Sequence, residues 1–334
     1  MPGLRIYTSN HMEILAENLA QIVRTPLASP FTPETIVVQS KGMERWISME
    51  LARLNGVSAN CDFPFPNAFL EDIFKKLVPD LPDISPFDPE IMTFRLMEII
   101  PRCTGLKGFE NLKAYLAEDS NHLKLYQLAG RIADLFDQYQ VFRPQLLFQW
   151  EQSKEAKKPP DAWQAKLWRE LSRGSEKLHR ARLRETLLEQ IRGLRIDPAR
   201  LPVRVSLFGI SHLPLFHLQA FAELSRLIEV NLFLIEPCRE YWADIFSDRE
   251  IKKIRRKNPQ VAENLEWYHF ERGNRLLSSM GTLGRDFLKL ISDLDCDVFE
   301  QFAEPQDHSL LGCLQSDILN LRDREINRAD GLPG

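Results

Sequence analysis

The segment LRIYTSNHMEILAENLAQIV, residues 4–23, alternates apolar and polar side chains from Leu4 to Tyr7. It then crosses a polar corner at Thr8-Ser9-Asn10 and carries apolar residues at helical spacing to Val23. Period two predicts a strand and period 3.6 a helix, so the segment reads as strand, tight corner, amphipathic helix. A strand that runs into a helix presents unpaired N–H groups and the positive end of the helix dipole at the corner, where phosphate can be held.

Whether this corner holds phosphate depends on its residues. A working phosphate loop needs glycines so that backbone N–H groups can wrap the anion, a lysine to neutralise it and a hydroxyl for magnesium. Thr8-Ser9-Asn10 supplies hydroxyls but no glycine and no lysine. The plain alternative is that Ser9 or Asn10 caps the helix and Glu13 completes a capping box.

Moving outward, ETIVVQS (34–40) and MERWISMELARL (43–54) repeat the strand-helix pattern, and such alternation predicts a parallel sheet. From about Pro66 to Arg200 the period changes: FLEDIFKKLV, EIMTFRLMEII, YQLAGRIADLFDQYQVF and WQAKLWRELSRGSEKL are helical, with almost no strand signal between them. Strands return at VRVSLFGI (203–210) and VNLFLIEP (230–237), on either side of the helical LPLFHLQAFAELSRL.

The prediction is an α/β domain formed by residues 1–65 and 200–334, split by an α-helical insertion over 66–199. Residues 238–278 read as polar and irregular, with a basic run KKIRRK at 252–257, and helices are expected at 279–294 and 308–325. There is no internal repeat and no low-complexity tract.

At 334 residues the chain exceeds what one core usually holds, about 250 to 300 residues, which agrees with two units. A composition of 44% hydrophobic and 27% charged residues is that of a globular protein, and a net charge of −4 confines any nucleic-acid surface to a local patch. No apolar run reaches the roughly 18 residues that span a bilayer and no signal peptide is visible, so the chain reads as cytoplasmic and free of membrane. Cys61, Cys103, Cys238, Cys296 and Cys313 are scattered, with no C-x-x-C pair, and read as reduced thiols.

No catalytic constellation emerges. Glu236 ends its strand where a magnesium-holding carboxylate would stand, but it has no lysine or glycine loop beside it. His212 and His217 lack the H-E-x-x-H spacing. DLDCD (293–297) begins like a calcium loop, yet Val298 stands where the turn requires glycine, and a solvated helix end accounts for it. Glu250 and Lys252 have an E-x-K spacing within a charge run. No metal or cofactor is expected, and no enzymatic activity for the chain by itself.

Several longer stretches carry a resemblance: VQSKGMERWISMELA, ANCDFPFPNAFLEDIF, ADLFDQYQVFRP, WQAKLW, HRARL, FGISHLPLFHLQAFAEL, LGRDFLKLISDL and LLGCLQSDILNL. Together, in order and over nearly the whole chain, they resemble the RecC family, the gamma subunits of exodeoxyribonuclease V, the RecBCD helicase-nuclease. RecC proteins are much longer, so the resemblance implies an N-terminal part, with NRADGLPG a boundary or linker.

The resemblance implies a RecA-like domain of an inactivated superfamily 1 helicase (domain 1A) carrying an inserted all-α domain 1B, with Thr8, Ser9 and Asn10 as the remains of a phosphate loop. It further implies strand splitting at a duplex fork, a channel for the 3′-ended single strand and reading of the octameric Chi sequence in recombinational repair. Catalysis would then lie in RecB-like and RecD-like partners. A docking module for those partners, without DNA contact, is the competing expectation.

For Chi reading the resemblance selects Gln39, Asp134, Leu135, Asp137, Gln138, Arg143 and Arg180, which match the family pattern. At four further positions the chain departs from it: Lys41 stands for Thr, Arg45 for Gln, Phe65 for Leu and Glu71 for Trp. These departures allow a different octamer or weaker selectivity. Within GRIADLFDQYQVFRP, Leu128, Ile132, Leu135, Phe136 and Tyr139 form an apolar stripe, while Arg131, Asp134, Asp137 and Gln138 lie on or near the opposite side. Carboxylates repel phosphate but accept from cytosine or guanine amino groups, which suits base reading. Backbone affinity is expected from the basic excess over 163–204, including Lys166, Arg169, Arg173, Lys177, Arg180, Arg182 and Arg184.

Overall fold

The structure, a computed structural model, describes residues 2–77, 82, 84–152, 162–193, 197–257, 273–306 and 309–323. Its elements in chain order are β1 Gly3–Ser9, α1 Met12–Val23, β2 Glu34–Val37, α2 Lys41–Asn55, β3 Cys61–Asp62, α3 Pro66–Leu77 and α4 Pro89–Cys103. Next come α5 Glu110–Leu116, α6 Leu123–Phe142, α7 Pro144–Gln152, α8 Ala162–Ser172 and α9 Arg180–Arg192. The remainder is β4 Arg204–Phe208, α10 Leu215–Leu224, β5 Glu229–Ile235, α11 Asp248–Lys257, α12 Arg275–Met280, α13 Thr282–Ser292, β6 Asp297–Glu300 and α14 Leu310–Leu319. The chain divides into two compact units, residues 1–70, 201–213 and 224–334 in one, and 71–200 and 214–223 in the other.

The first unit is built on a six-stranded sheet of order β3-β2-β4-β5-β1-β6 in which every pairing is parallel. All five residues of β4 are buried, because helices cover both faces of a parallel sheet at its centre. On one face Leu15, Leu19 and Ala20 of α1 and Ile47 and Leu51 of α2 pack on Ile36, Phe208 and Phe233. Each such fully buried Leu, Ile or Phe side chain is worth roughly 1.5–3 kcal/mol. Tyr7 stacks between Phe233 and Phe299, with ring centroids 4.9 and 5.0 Å apart.

Arg204 on β4 holds Glu34 on the neighbouring β2 through two hydrogen bonds of 2.7 and 2.6 Å, and both residues are buried. The remaining guanidinium capacity goes partly to the Thr25 carbonyl at 2.8 Å, so the pair is desolvated but well satisfied.

Two short strands and two helices depart from the sequence reading. β3 has just two residues, and the four of β6 are all exposed, so neither shows a two-residue period. The DLDCD segment is not a simple helix end: Asp293 follows α13, and Asp297 opens β6 beside β1. The segment expected to be irregular contains α11 and α12. α11 has just two apolar residues, Ile251 and Ile254, three apart, which leaves too little pattern to recognise. The basic run 252–257 forms the C-terminal part of α11, and residues 258–272 lie outside the described part.

The second unit is helical. Leu125, Ala129, Ile132, Ala133 and Phe136 form the inward stripe of α6, and with Phe87, Leu96, Leu147 and Trp168 they make one apolar core. Asp88 caps α4 by accepting the Glu90 N–H at 3.0 Å. Within this core lies a polar node that the sequence did not announce. Glu151, on α7, accepts from Trp168 Nε1 at 3.1 Å and from Arg182 Nη2 at 2.9 Å, and its third contact is His179 Nε2 at 2.8 Å. Burial pushes the Glu151 carboxyl up, but these partners outweigh it and hold it below the usual carboxylate range. Among the described residues no helix is long and apolar enough to cross a membrane.

Candidate nucleic-acid interface

The corner after β1 is not capped as expected. His11, not Ser9 or Asn10, occupies the N-cap of α1, and no side chain caps it. Ser9 Oγ instead accepts the His11 N–H at 3.1 Å. Asn10 binds both backbone groups of Ala303, donating to its carbonyl at 2.8 Å and accepting from its N–H at 3.0 Å. Thr8 is buried, and its Oγ1 has no hydrogen-bond partner among the described residues. Glu236, beyond the end of β5, is also buried and accepts from Trp242 Nε1 at 2.7 Å.

In the sheet-containing unit, four of the singled-out residues follow β2 or lie just before α3. Gln39 donates to the His212 carbonyl at 2.7 Å, which ties the end of β2 to the loop after β4. That loop turns at Gly209, with φ of 64°, and a Cβ there would stand 2.6 Å from the Met43 side chain of α2. Ser40 caps α2 by accepting the Met43 N–H at 3.1 Å, so Lys41 and Arg45 fall on its first turns. Lys41 Nζ binds Glu44 at 2.7 Å and stands 5.8 Å from the Phe65 ring, which is 42% exposed. Arg45 is exposed. An aromatic face, a lysine and an amide at the carboxyl end of a parallel strand offer stacking and hydrogen bonding to a nucleobase.

In the helical unit, Asp134 and Gln138 are exposed on α6, Leu135 and Asp137 are half-buried, and Arg143 follows the helix with its guanidinium 5.6 Å from the Tyr139 ring. Arg180 opens α9. Its backbone N–H donates to the buried Gln140 at 3.0 Å, while Nη1 donates to Asp137 at 2.8 Å and Nη2 to Glu71 at 2.9 Å. Burial pushes the Asp137 carboxyl up, Arg180 pulls it down, and Asp88, Asp134 and Glu71 push it up again, leaving it raised. The structure thus joins Glu71, Asp137 and Arg180 directly and places Asp134, Leu135 and Gln138 on the same helix as Asp137.

The placement of Arg180 depends on residues the sequence did not single out. His179 is the N-cap of α9 and accepts the Arg182 N–H through Nδ1 at 3.4 Å, and Glu151 fixes the other side of its ring. The HRARL match was the available signal, but only folding shows that its histidine is buried at a helix start.

The basic stretch is largely neutralised by neighbours. Lys166 and Arg173 share Glu170 at 2.8 and 2.9 Å, Arg182 binds Glu151 and Glu185, and Arg192 binds Glu223 at 2.8 Å. Arg184 differs: it donates to Gln219 and lies 4.7 Å from the Phe216 ring, with no carboxylate ion pair among the described residues. Burial lowers its pKa. His217 is buried close to these arginines, and burial, then Arg180 and Arg184, push it down to about 4.

The dismissed motifs have structural partners. Glu250 accepts from Arg285 at 2.5 Å and from Ser247 at 2.7 Å, and these bonds, Arg285 first, pull it down to about 2. His212 packs edge-on against Phe287. All five cysteines are free thiols, and no group of His, Cys, Asp or Glu among the described residues is placed to hold a metal.

Comparison with known proteins agrees with the resemblance. Residues 4–321 match the family described as RecC, N-terminal domain. The chain is 38% identical to the RecBCD enzyme subunit RecC of Escherichia coli (strain K12), over 97% of this chain and 31% of that protein. It is 32% identical to the subunit of the same name from Haemophilus influenzae, over 97% of this chain and 34% of that one. For the Mycolicibacterium smegmatis subunit the identity is 31%, over 95% and 28%. The chain spans about a third of the length of these curated relatives.

Proposed function

The chain belongs to the RecC family, and from that premise we propose that it is a non-catalytic DNA-handling part of a RecBCD-type helicase and nuclease acting in double-strand-break repair. Its sheet-containing unit is an inactivated, RecA-like helicase domain 1A, and its helical unit the inserted domain 1B. Together they help split the duplex, pass the 3′-ended single strand and read Chi, while RecB-like and RecD-like partners supply the chemistry.

The observation that carries this reading is Arg180, held between Asp137 and Glu71 beside the polar side of α6. A fixed fork of donors next to carboxylate and amide acceptors presents both halves of a base-edge hydrogen-bonding pattern. Few uncompensated cations surround it, so it does not grip every sequence alike. Gln39, Lys41, Arg45 and Phe65 supply a second set of base-directed groups in the other unit.

The inactive-motor reading is supported by the corner after β1. Asn10 is committed to Ala303, Ser9 accepts from His11, and the corner has neither the glycines that would wrap a phosphate nor the lysine that would neutralise it.

The test is fluorescence anisotropy of the chain with labelled single-stranded DNA over a range of salt, beside Arg180→Glu and Arg184→Glu. Binding weakens with salt, and each lost phosphate contact lowers the slope by about 0.7. Arg182 is left intact because it belongs to the Glu151 node. Salt-independent or absent binding that both variants leave unchanged would favour the docking module.

A further inference from the structure

On the face of the sheet away from the Tyr7 stack, β1, β5 and β6 present Ile6, Thr8, Leu234, Val298 and Glu300, as the two-residue period of adjacent parallel strands requires. Leu288 and Ile291 of α13 face these residues across a cavity of about 260 Å³. Its polar end contains Thr8, Glu236 and Glu300.

Three properties of this cavity point to a ligand. Thr8 is 7% exposed and its Oγ1 has no hydrogen-bond partner among the described residues, although it lines the cavity. A buried hydroxyl is ordinarily paired, because an unpaired one costs its desolvation. Glu236 is equally buried, and its bond to Trp242 uses one carboxyl oxygen, Oε1. Among the described residues the lining charges are unbalanced: Glu236, Glu240 and Glu300 are acidic, and the one lining cation, Arg239, is paired with Glu304.

We propose that this cavity binds a small alkylammonium ion, with the ammonium group between Glu236, Glu300 and the Thr8 hydroxyl and the hydrocarbon against Leu288 and Ile291. An ammonium group brings three donors, enough for Thr8 Oγ1 and both carboxylates, and no acceptor that would meet them unfavourably. The apolar wall selects against a hydrated inorganic cation, and the acidic residues lack a metal-binding arrangement. Burial, with Glu300 adding to it, pushes the Glu236 carboxyl up to about 7, and a cation held there relieves that cost. The site lies among residues that the proposed DNA-reading role does not use and stands independently of it.

The experiment titrates the 334-residue chain with n-butylammonium chloride, with n-butanol as the uncharged isostere and sodium chloride at matched ionic strength. Binding is read by calorimetry and by amide NMR shifts. The expected result is saturable binding with a Kd on the order of 1 mM, shifts at Thr8, Glu236 and Ile291, and no saturation with either control. Glu236→Gln, which keeps an acceptor for Trp242, weakens binding at least tenfold, and Thr8→Val weakens it several-fold. Equal binding of n-butanol, lack of saturation, or unchanged affinity in both variants would overturn the proposal. Should Glu236→Gln unfold the chain, Thr8→Val and the alcohol control decide it.

Discussion

Glu71 lies 2.9 Å from the Arg180 guanidinium, on the nitrogen that Asp137 leaves open. The family resemblance leads to an expectation of Trp at this position, and the chain carries a carboxylate there instead. A carboxylate so placed competes with any nucleobase or phosphate for the same donor.

Glu71→Gln is therefore expected to strengthen single-stranded DNA binding and to steepen its salt dependence, by up to about 0.7 in slope. Both partners are partly exposed, so stability should change by no more than about 0.5 kcal/mol. Anisotropy and urea unfolding on the same variant separate the two effects. Weaker binding in Glu71→Gln would show that Glu71 itself touches DNA.

The Glu151 node should behave in the opposite way. Removing its carboxylate leaves Arg182 and His179 without their buried partner and Trp168 Nε1 without an acceptor. Glu151→Ala is expected to destabilise the helical unit by about 3–5 kcal/mol, read by urea unfolding with tryptophan fluorescence. Arg180→Glu should cost far less, since Arg180 lies at the surface end of the same helix. Comparable losses in the two variants would mean that the node does not anchor α9.

Gly209 offers a third test. Its positive φ and the nearness of Met43 both disfavour a side chain. Gly209→Ala should cost on the order of 1–2 kcal/mol from the backbone alone, with a further loss from the contact. Met43→Ala in the same chain is expected to recover the contact part and leave the backbone part, which a double-mutant cycle resolves. Additive losses would show that the helix does not press on this turn.

The parallel α/β plan was legible because Leu4–Tyr7, 34–40, 203–210 and 230–237 alternate with helical stretches, and that order leaves few topologies. β6 was hidden because its exposed residues carry no period, and α11 because two isoleucines are too few to define a face. For the candidate site, the resemblance supplied residue names and the helical period supplied the side of α6. Neither could reveal that Arg180 is bridged by two carboxylates, or that Glu151 holds His179 and Arg182 beside it, since Asp137 and Glu71 are 43 and 109 residues from Arg180, and Glu151 is 31 from Arg182, separations that local spacing does not encode. The capping of α1 was misread because Asn10 found its partners near residue 303, and Ser9 turned to the next backbone N–H but one instead.

Glu236 and Glu250 give the pH dependence of stability two opposite slopes. Glu236 titrates near 7 in the folded chain against an ordinary 4.5, so the folded state holds a proton that the unfolded state has released between those values. Its neutral form favours folding below about pH 4.5, and that advantage, on the order of 3 kcal/mol, is lost as pH rises through 7. Glu250 is pulled down to about 2, so its contribution is present above 4.5 and is lost as pH falls toward 2. Stability is therefore expected to decline from about pH 5 to pH 8, and Glu236→Gln to flatten that decline while leaving the acid limb intact. Urea midpoints taken at each pH check this. A wild-type decline that persists unchanged in Glu236→Gln would assign the slope to other groups and would remove the buried, proton-holding carboxyl from the account of the cavity.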